Sequence, residues 1–302
     1  CSSDLAEETV KFLRFDRDKK VLAPLKILIL ILSSQDPINL RDELNQKETW
    51  AQDSDHCKIV WIRGNSRQGE FLDIKERTLH LEVEEGAKNI LEKSLLALNW
   101  SMRQPWKPDI VIRSNVSSYF DTRGLVAKIR GLNILGEDPI LGGYFDQHNI
   151  GSSNKNLKRD FVSGAGIFLN EKSIKVLNEI DLVRFREIPD DVAISTYLLE
   201  QKAKAIPIKR CNLHITGFFW VTPYIRLKSS VDPNLASLRM KMIFNYYNET
   251  NVISRSIKRL KMLSFELHLY VIFESRRRHY FRLLILLIKN NVRNHLIGYR
   301  YG

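Results

Sequence analysis

The stretch Asp109-Ile110-Val111-Ile112-Arg113-Ser114-Asn115-Val116-Ser117-Ser118-Tyr119-Phe120-Asp121 decides the fold. Ile110 to Ile112 read as a buried strand, and the apolar run then breaks abruptly into small polar residues. Ligands of open α/β sheets sit just beyond the carboxyl ends of the strands. A strand ending in Arg-Ser-Asn-Val-Ser-Ser is therefore a candidate site. Arg113 offers a fork of donors that matches phosphate, and Asn115, Ser117 and Ser118 add neutral donors and acceptors. The same residues also suit an ordinary Asx- or Ser-type turn, so their neighbours have to decide.

Upstream, Ile27–Leu32 is an unbroken apolar run closed by Ser33-Ser34-Gln35-Asp36-Pro37. It is far shorter than a membrane span and fits a strand buried on both faces of a parallel sheet. Lys58–Ile62, followed by Arg63-Gly64-Asn65, repeats the pattern. Residues 39–50 are a helix candidate, and Thr78–Glu82 alternates as a third strand. Residues 87–100 place Ile90, Leu91, Leu95 and Leu98 at helical spacing. Strands alternating with helices over the first 130 residues predict a wound α/β sheet. Beyond it come Ile140–Phe145, a polar loop over 146–160, and Phe161–Leu169, whose small residues allow close backbone approach. A helix is expected over 171–180, and Pro189-Asp190-Asp191-Val192 has the chemistry of a helix start. Trp50, Trp61 and Trp100 are assigned to the core.

Composition narrows the class. A chain of 302 residues, 44% hydrophobic and 27% charged, is an ordinary folded protein. Three scattered cysteines give no disulfide framework or zinc pattern and fit a reducing interior. Cys1 in first place suggests a trimmed chain. Residues 226–302 hold fifteen basic side chains against four acidic ones, so nearly all of the +12 net charge lies there. The expected organisation is a leader over 1–24, a catalytic domain over 25–224, and a basic helical extension over 225–302.

In that extension, basic clusters around 255–261 and 276–278 alternate with the apolar blocks 263–273 and 283–288. Residues 255–295 thus read as basic amphipathic helices on an anionic membrane surface. The competing reading is a helical subdomain with a solvated basic face. Base-reading motifs are absent, so nucleic acid is not an expected partner. No Gly-rich phosphate loop, nucleophile elbow or His-Glu-x-x-His pattern occurs.

Taken in order, several stretches resemble the inverting glycosyltransferases of the β1,3-galactosyltransferase and Fringe type. These are the strand ending at Ser33 with Arg41 and Thr49-Trp50 after it, the strand ending in Gly64, and Glu84-Glu85-Gly86 with Asn89, Lys93 and Trp100. Phe161-Val-Ser-Gly-Ala-Gly and Pro189-Asp190-Asp191-Val192 complete the set. The resemblance spans residues 25–217. It implies an α/β fold of GT-A-like, Rossmann-like type: a mixed, mainly parallel sheet flanked by helices. It also implies sugar transfer from a nucleotide-sugar donor to a glycan or glycolipid acceptor, in surface polysaccharide or glycoconjugate synthesis. The expected location is cytoplasmic and peripheral on the membrane. One departure is plain: where the family carries Asp-Asp-Asp, this chain carries Asn115-Val116-Ser117.

Inversion needs a carboxylate to take the acceptor hydroxyl's proton and something to stabilise charge on the leaving diphosphate. Asp191 is the expected base, with Asp190 as helix cap or alternate. The donor contacts that follow are Ser33, Ser34, Gln35, Arg41, Gly64, Asn89, Lys93, Arg113, Asn115, Ser117 and Ser118. Gly143, Tyr144, Ser163 and Gly164 fall on the acceptor side. Hard cations favour carboxylate oxygens, so dependence on Mn²⁺ or Mg²⁺ is expected to be weak or dispensable. Asp121 and His214 are the remaining metal candidates. The rival reading is an inactive glycosyltransferase-like protein that binds a sugar or nucleotide, and a distant third is a polyanion binder acting through its tail.

Overall fold

A computed structural model describes residues 24–132, 134, 136, 138–150, 157–212, 222–227 and 233–274. The expected leader, His214 and the clusters beyond residue 274 lie outside these.

The chain opens with β1 (Ile27–Leu32), then α1 (Pro37–Glu48), β2 (Cys57–Arg63), β3 (Phe71–Asp73) and β4 (Thr78–His80). A 3₁₀ turn leads into α2 (Ile90–Met102), followed by β5 (Ile110–Asn115), β6 (Ser118–Phe120) and α3 (Thr122–Arg130). The hairpin of β7 (Ile140–Ile150) and β8 (Leu157–Leu169) precedes α4 (Glu171–Leu177), α5 (Asp190–Glu200) and β9 (Lys204–Pro207). Two short strands, β10 (Cys211–Asn212) and β11 (Tyr224–Arg226), are followed by α6 (Pro233–Tyr247) and α7 (Val252–Glu274).

Eight strands form one mixed sheet in the order β3-β4-β2-β1-β5-β8-β7-β9, and β10-β11-β6 form a second. The expected α/β class, with a mainly parallel sheet flanked by helices, is what the chain adopts. In β4-β2-β1-β5 every neighbour is parallel. The chain steps outward from β1 to β2 and β4, then returns to the other side of β1 as β5. That reversal is a topological switch point, where a doubly wound sheet opens a crevice. The apolar runs explain these strands: Ile27, Ile29, Ile31, Ile110 and Ile112 are fully buried on one face, and Leu30 and Val111 pack on the other. Trp50, Trp61 and Trp100 are all buried, as expected.

The sequence reading misplaces one region. Residues 146–150 and 157–160, expected within a polar loop, are strand, because β7 and β8 pair from Asp146↔Phe161 out to Ile150↔Leu157. A polar pair of strands carries no hydrophobic period in its sequence, so cross-strand hydrogen bonding holds it without a sequence signal. Helix α1 begins at Pro37, two residues before the expected start, because Asp36 caps it through the Ile38 N–H at 2.8 Å. The β5 strand also runs further than its apolar part, to Asn115.

The C-terminal helices share the main core. Ala236, Met240 and Ile243 of α6 and Met262 of α7 are buried in the same cluster as β1. Strand β11, which spans the expected boundary at 224, pairs antiparallel with β6.

Candidate active site

At the switch point, the carboxyl ends of β1 and β5 open into a cleft of about 900 Å³. The sequence-based candidates Ser33, Ser34, Gln35, Lys93, Arg113, Asn115, Ser117, Gly164, Asp190 and Asp191 all line it. They come from five separate stretches, and those that carry Arg113, Asn115 and Asp191 meet at Gly164. Its carbonyl accepts from Arg113 Nη1 at 2.7 Å and from Asn115 Nδ2 at 3.3 Å, and its N–H donates to Asp191 Oδ2 at 2.8 Å. A Cβ at this position would lie 2.5 Å from Arg113 Nη1 and 3.1 Å from Asp191 Oδ2. The guanidinium is anchored elsewhere and cannot swing aside freely. Gly164→Ala is therefore expected to destabilise the fold by about 1–3 kcal/mol through overpacking, read as a lower denaturation midpoint. An unchanged midpoint would mean that Arg113 is loosely held.

The two neighbouring carboxylates have different surroundings. Asp190, its side chain 12% exposed, forms an ion pair with Arg113 Nη2, while its Oδ2 also accepts from Ser94 Oγ at 3.3 Å. Burial pushes the Asp190 carboxyl upward, the Arg113 guanidinium opposes that, and the charge of Asp191 adds to it. Every nitrogen of Arg113 has a protein partner: Asp190, the Gly164 carbonyl, and Ser94 Oγ at 3.4 Å from Nε. Asp191 is half-buried and faces the cleft. Its Oδ2 accepts from the Gly164 N–H, and its Oδ1 accepts from the Val192 N–H at 3.0 Å. A carboxylate on the first turn of α5, fixed by backbone donors and open to the cleft, is the arrangement a positioned proton acceptor needs.

The end of β1 is tied just as closely. Ser33 Oγ donates to Glu43 Oε2 at 2.7 Å, and the Ser33 carbonyl accepts from Lys93 Nζ at 2.7 Å. Burial pushes Glu43 upward, but hydrogen bonds from Arg63, Lys47 and Ser33 outweigh it and leave the carboxyl below its usual range. Lys93 also grips both oxygens of Glu85, at 2.8 and 2.7 Å, and Glu85 accepts the Gly64 N–H. Gly64 thus borders the cleft through Glu85 without lining it. Ser34 Oγ accepts from Asn39 Nδ2 at 2.7 Å, and Gln35 is exposed.

The other candidates lie apart from the lining. Arg41 pairs with Asp42 at 3.3 Å, and Asn89 donates to the Glu84 carbonyl at 3.1 Å. Ser118 and Ser163 are buried, and Ser118 Oγ donates to the Ala165 carbonyl at 2.7 Å. Gly143 sits at a bulge with φ of 144°, where a Cβ would lie 2.3 Å from Val162 Cγ1. The Tyr144 ring lies 4.1 Å from the Arg210 guanidinium carbon. Asp121 stands at the start of α3 on a different cleft, beside Tyr119, Arg123 and Tyr247.

Gln46 is a residue that sequence reasoning missed. Fully buried on α1, it reaches across to the β5–β6 turn, where Nε2 donates to the Val116 carbonyl at 3.1 Å and the Ser118 carbonyl at 3.0 Å. Its Oε1 accepts from Trp61 Nε1 at 2.9 Å. A glutamine in a polar helix gives no signal of this role.

The donor set around the turn does not suit a divalent metal. Asn115 Oδ1 already accepts from Ser117 Oγ at 2.8 Å, and Asp190 is held by Arg113. Among the described residues no three His, Cys, Asp or Glu side chains converge on a common point. Hard cations need several accessible oxygens, carboxylates above all.

No family model matches the chain, and no curated protein matches it. Solved structures do. One is a glycosyltransferase involved in glycosylation of the major capsid of PBCV-1, at 9% identity and a TM-score of 0.46, covering 71% of this chain and 99% of that one. Another is the mannosyltransferase PcManGT from Pyrobaculum calidifontis, in complex with GDP-Man and Mn²⁺, at 10% identity and 0.41, covering 87% and 81%. A third is S. aureus TarS 1-349 in complex with UDP, at 12% identity and 0.41, covering 85% and 74%.

Proposed function

We propose that this chain is a glycosyltransferase that moves a sugar from a nucleotide-sugar donor to a glycan or glycolipid hydroxyl with inversion. The observation that carries the reading is Asp191, a carboxylate fixed by two backbone donors and facing a polar cleft at the sheet's switch point. Asp191 is the base that takes the acceptor's proton. Asp190, neutralised by Arg113, holds the cleft's floor and the start of α5. The nucleotide lies against Ser33–Asp36 at the end of β1, and the diphosphate lies toward Asn115 and Ser117. Incubation with a panel of nucleotide sugars, scored by release of nucleoside diphosphate with and without oligosaccharide acceptors, tests the reading. Turnover of none would overturn it.

One observation favours the second reading, an inactive relative that binds a sugar or nucleotide: Asn115 and Ser117 replace the carboxylates of the resembled family. Nucleotide binding without turnover across the panel would establish it.

We further propose that the basic extension lies on anionic membrane, with the cytoplasmic, peripheral location that this implies. Ile253, Ile257 and Leu260 are exposed on one face of α7, among Arg255, Lys258, Arg259 and Lys261. No helix among the described residues is long and apolar enough to cross a membrane. A basic helix with an exposed apolar stripe binds by shallow insertion plus attraction to anionic lipid. Sedimentation with vesicles rich in phosphatidylglycerol should fall for Ile257→Glu/Leu260→Glu and weaken with salt. Equal sedimentation of this variant and the parent would favour a packed helical subdomain.

A further inference from the structure

Arg226 stands out among the charged side chains of the cleft. It lines the cavity beside Asn115, Ser117, Gly164 and Asp191, yet its Nε is buried without a hydrogen-bond partner. Its place is set by the small sheet. Arg226 pairs in register with Ser118, and the Leu227 N–H donates to the Ser117 carbonyl at 2.8 Å. The backbone of Arg226 is thus anchored beside the turn where the resembled family carries its carboxylates, and its side chain lines the cleft there.

A second arginine reinforces it. Arg210, only 8% exposed, has Nε and Nη1 buried without partners and is held by the rings of Tyr144 and Tyr224 at 4.1 and 5.9 Å. Burial lowers the pKa of Arg226, and the nearby positive charge of Arg210 lowers it further. Asp191 and Asp146 pull in the opposite direction, but neither forms an ion pair with Arg226 among the described residues. Half-buried Arg226, with an unmet Nε and the positive charge of buried Arg210 nearby, is in an unfavourable setting on its own. An anion in the cleft beside the Arg226 guanidinium would meet this excess of positive charge with charge-assisted hydrogen bonds. The other cation at this end of the cleft, Arg113, is engaged by Asp190 and Gly164.

We propose that Arg226 is the diphosphate-binding residue of this cleft, taking the negative charge of the donor's leaving group without a metal ion. This rests on the glycosyltransferase reading, but the site itself can be probed without any sugar. The acceptor oxygen bonds to the anomeric carbon as the carbon's bond to the diphosphate oxygen breaks; that electron pair stays on the diphosphate, and the acceptor's proton goes to Asp191. The guanidinium beside the diphosphate meets the charge that develops there.

The test is calorimetric titration of the full chain with inorganic pyrophosphate in excess chelator, for the parent, Arg226→Gln and Arg226→Lys. The parent should bind. Arg226→Gln should weaken binding about 10- to 100-fold, as expected for a lost charge-assisted contact, and Arg226→Lys should fall between because a lysine lacks the fork. Melting curves confirm that each variant is folded. No pyrophosphate binding by the parent in chelator, or equal binding by Arg226→Gln, overturns the proposal. Donor turnover by the parent that is undiminished in Arg226→Gln removes Arg226 from the site and leaves the enzyme reading intact. Arginine-dependent pyrophosphate binding with no turnover of any nucleotide sugar keeps the subsite and removes the enzyme reading.

Discussion

Asp191→Asn is expected to lower sugar transfer by about 10²–10⁴-fold, the usual contribution of a positioned general base. Nucleotide affinity should stay close to that of the parent, because the change lies on the acceptor's side of the reacting bond. The variant is not perfectly silent structurally. Asp191 accepts the Gly164 N–H through one oxygen and the Val192 N–H through the other. An asparagine has only one such oxygen, so one bond is lost and its amide then faces a donor. A stability loss of about 1 kcal/mol follows, small enough that assays well below the melting temperature report chemistry alone. Near-parent transfer by Asp191→Asn would place the base elsewhere. Asp190→Asn separates the neighbouring residues, since it should disturb the buried pair with Arg113 more than the reaction.

The parallel half of the sheet was legible because strands buried on both faces are written as unbroken apolar runs. Ile27–Leu32, Ile59–Ile62 and Ile110–Ile112 could hardly be anything else. The cleft followed from those strands, since each run ends abruptly in polar residues and an open sheet places ligands there. What could not be read is how those polar residues share their hydrogen bonds. Arg113 looks like a phosphate contact in sequence, and only the fold brings Asp190, 77 residues later, against it. Gln46 and Arg226 had no local signature at all: one is a polar residue on a polar helix, the other a basic residue in a strongly basic tail. Their positions depend on long-range packing of α1 against the β5–β6 turn and of β11 against β6.

Arg113→Ala should destabilise the fold by about 3–5 kcal/mol, the largest effect on stability expected from a single change in the cleft. The side chains of Arg113 and Asp190 are 4% and 12% exposed, so removing the arginine leaves a carboxylate with little water to replace its partner. The Gly164 carbonyl loses a donor at the same time. The double variant Arg113→Met/Asp190→Leu removes both charges with less change in volume, and it should recover much of that loss, because well-packed apolar pairs often match buried ion pairs. Chemical denaturation of the parent, both single variants and the double variant closes the cycle, and a coupling energy near or above the usual upper value of about 3 kcal/mol for contacting residues is expected. A loss below about 1 kcal/mol in Arg113→Ala, with no coupling, would mean that the pair behaves as an exposed surface bridge. In that case the guanidinium would be available to a ligand, and Arg113 rather than Arg226 would become the leading cation for the diphosphate.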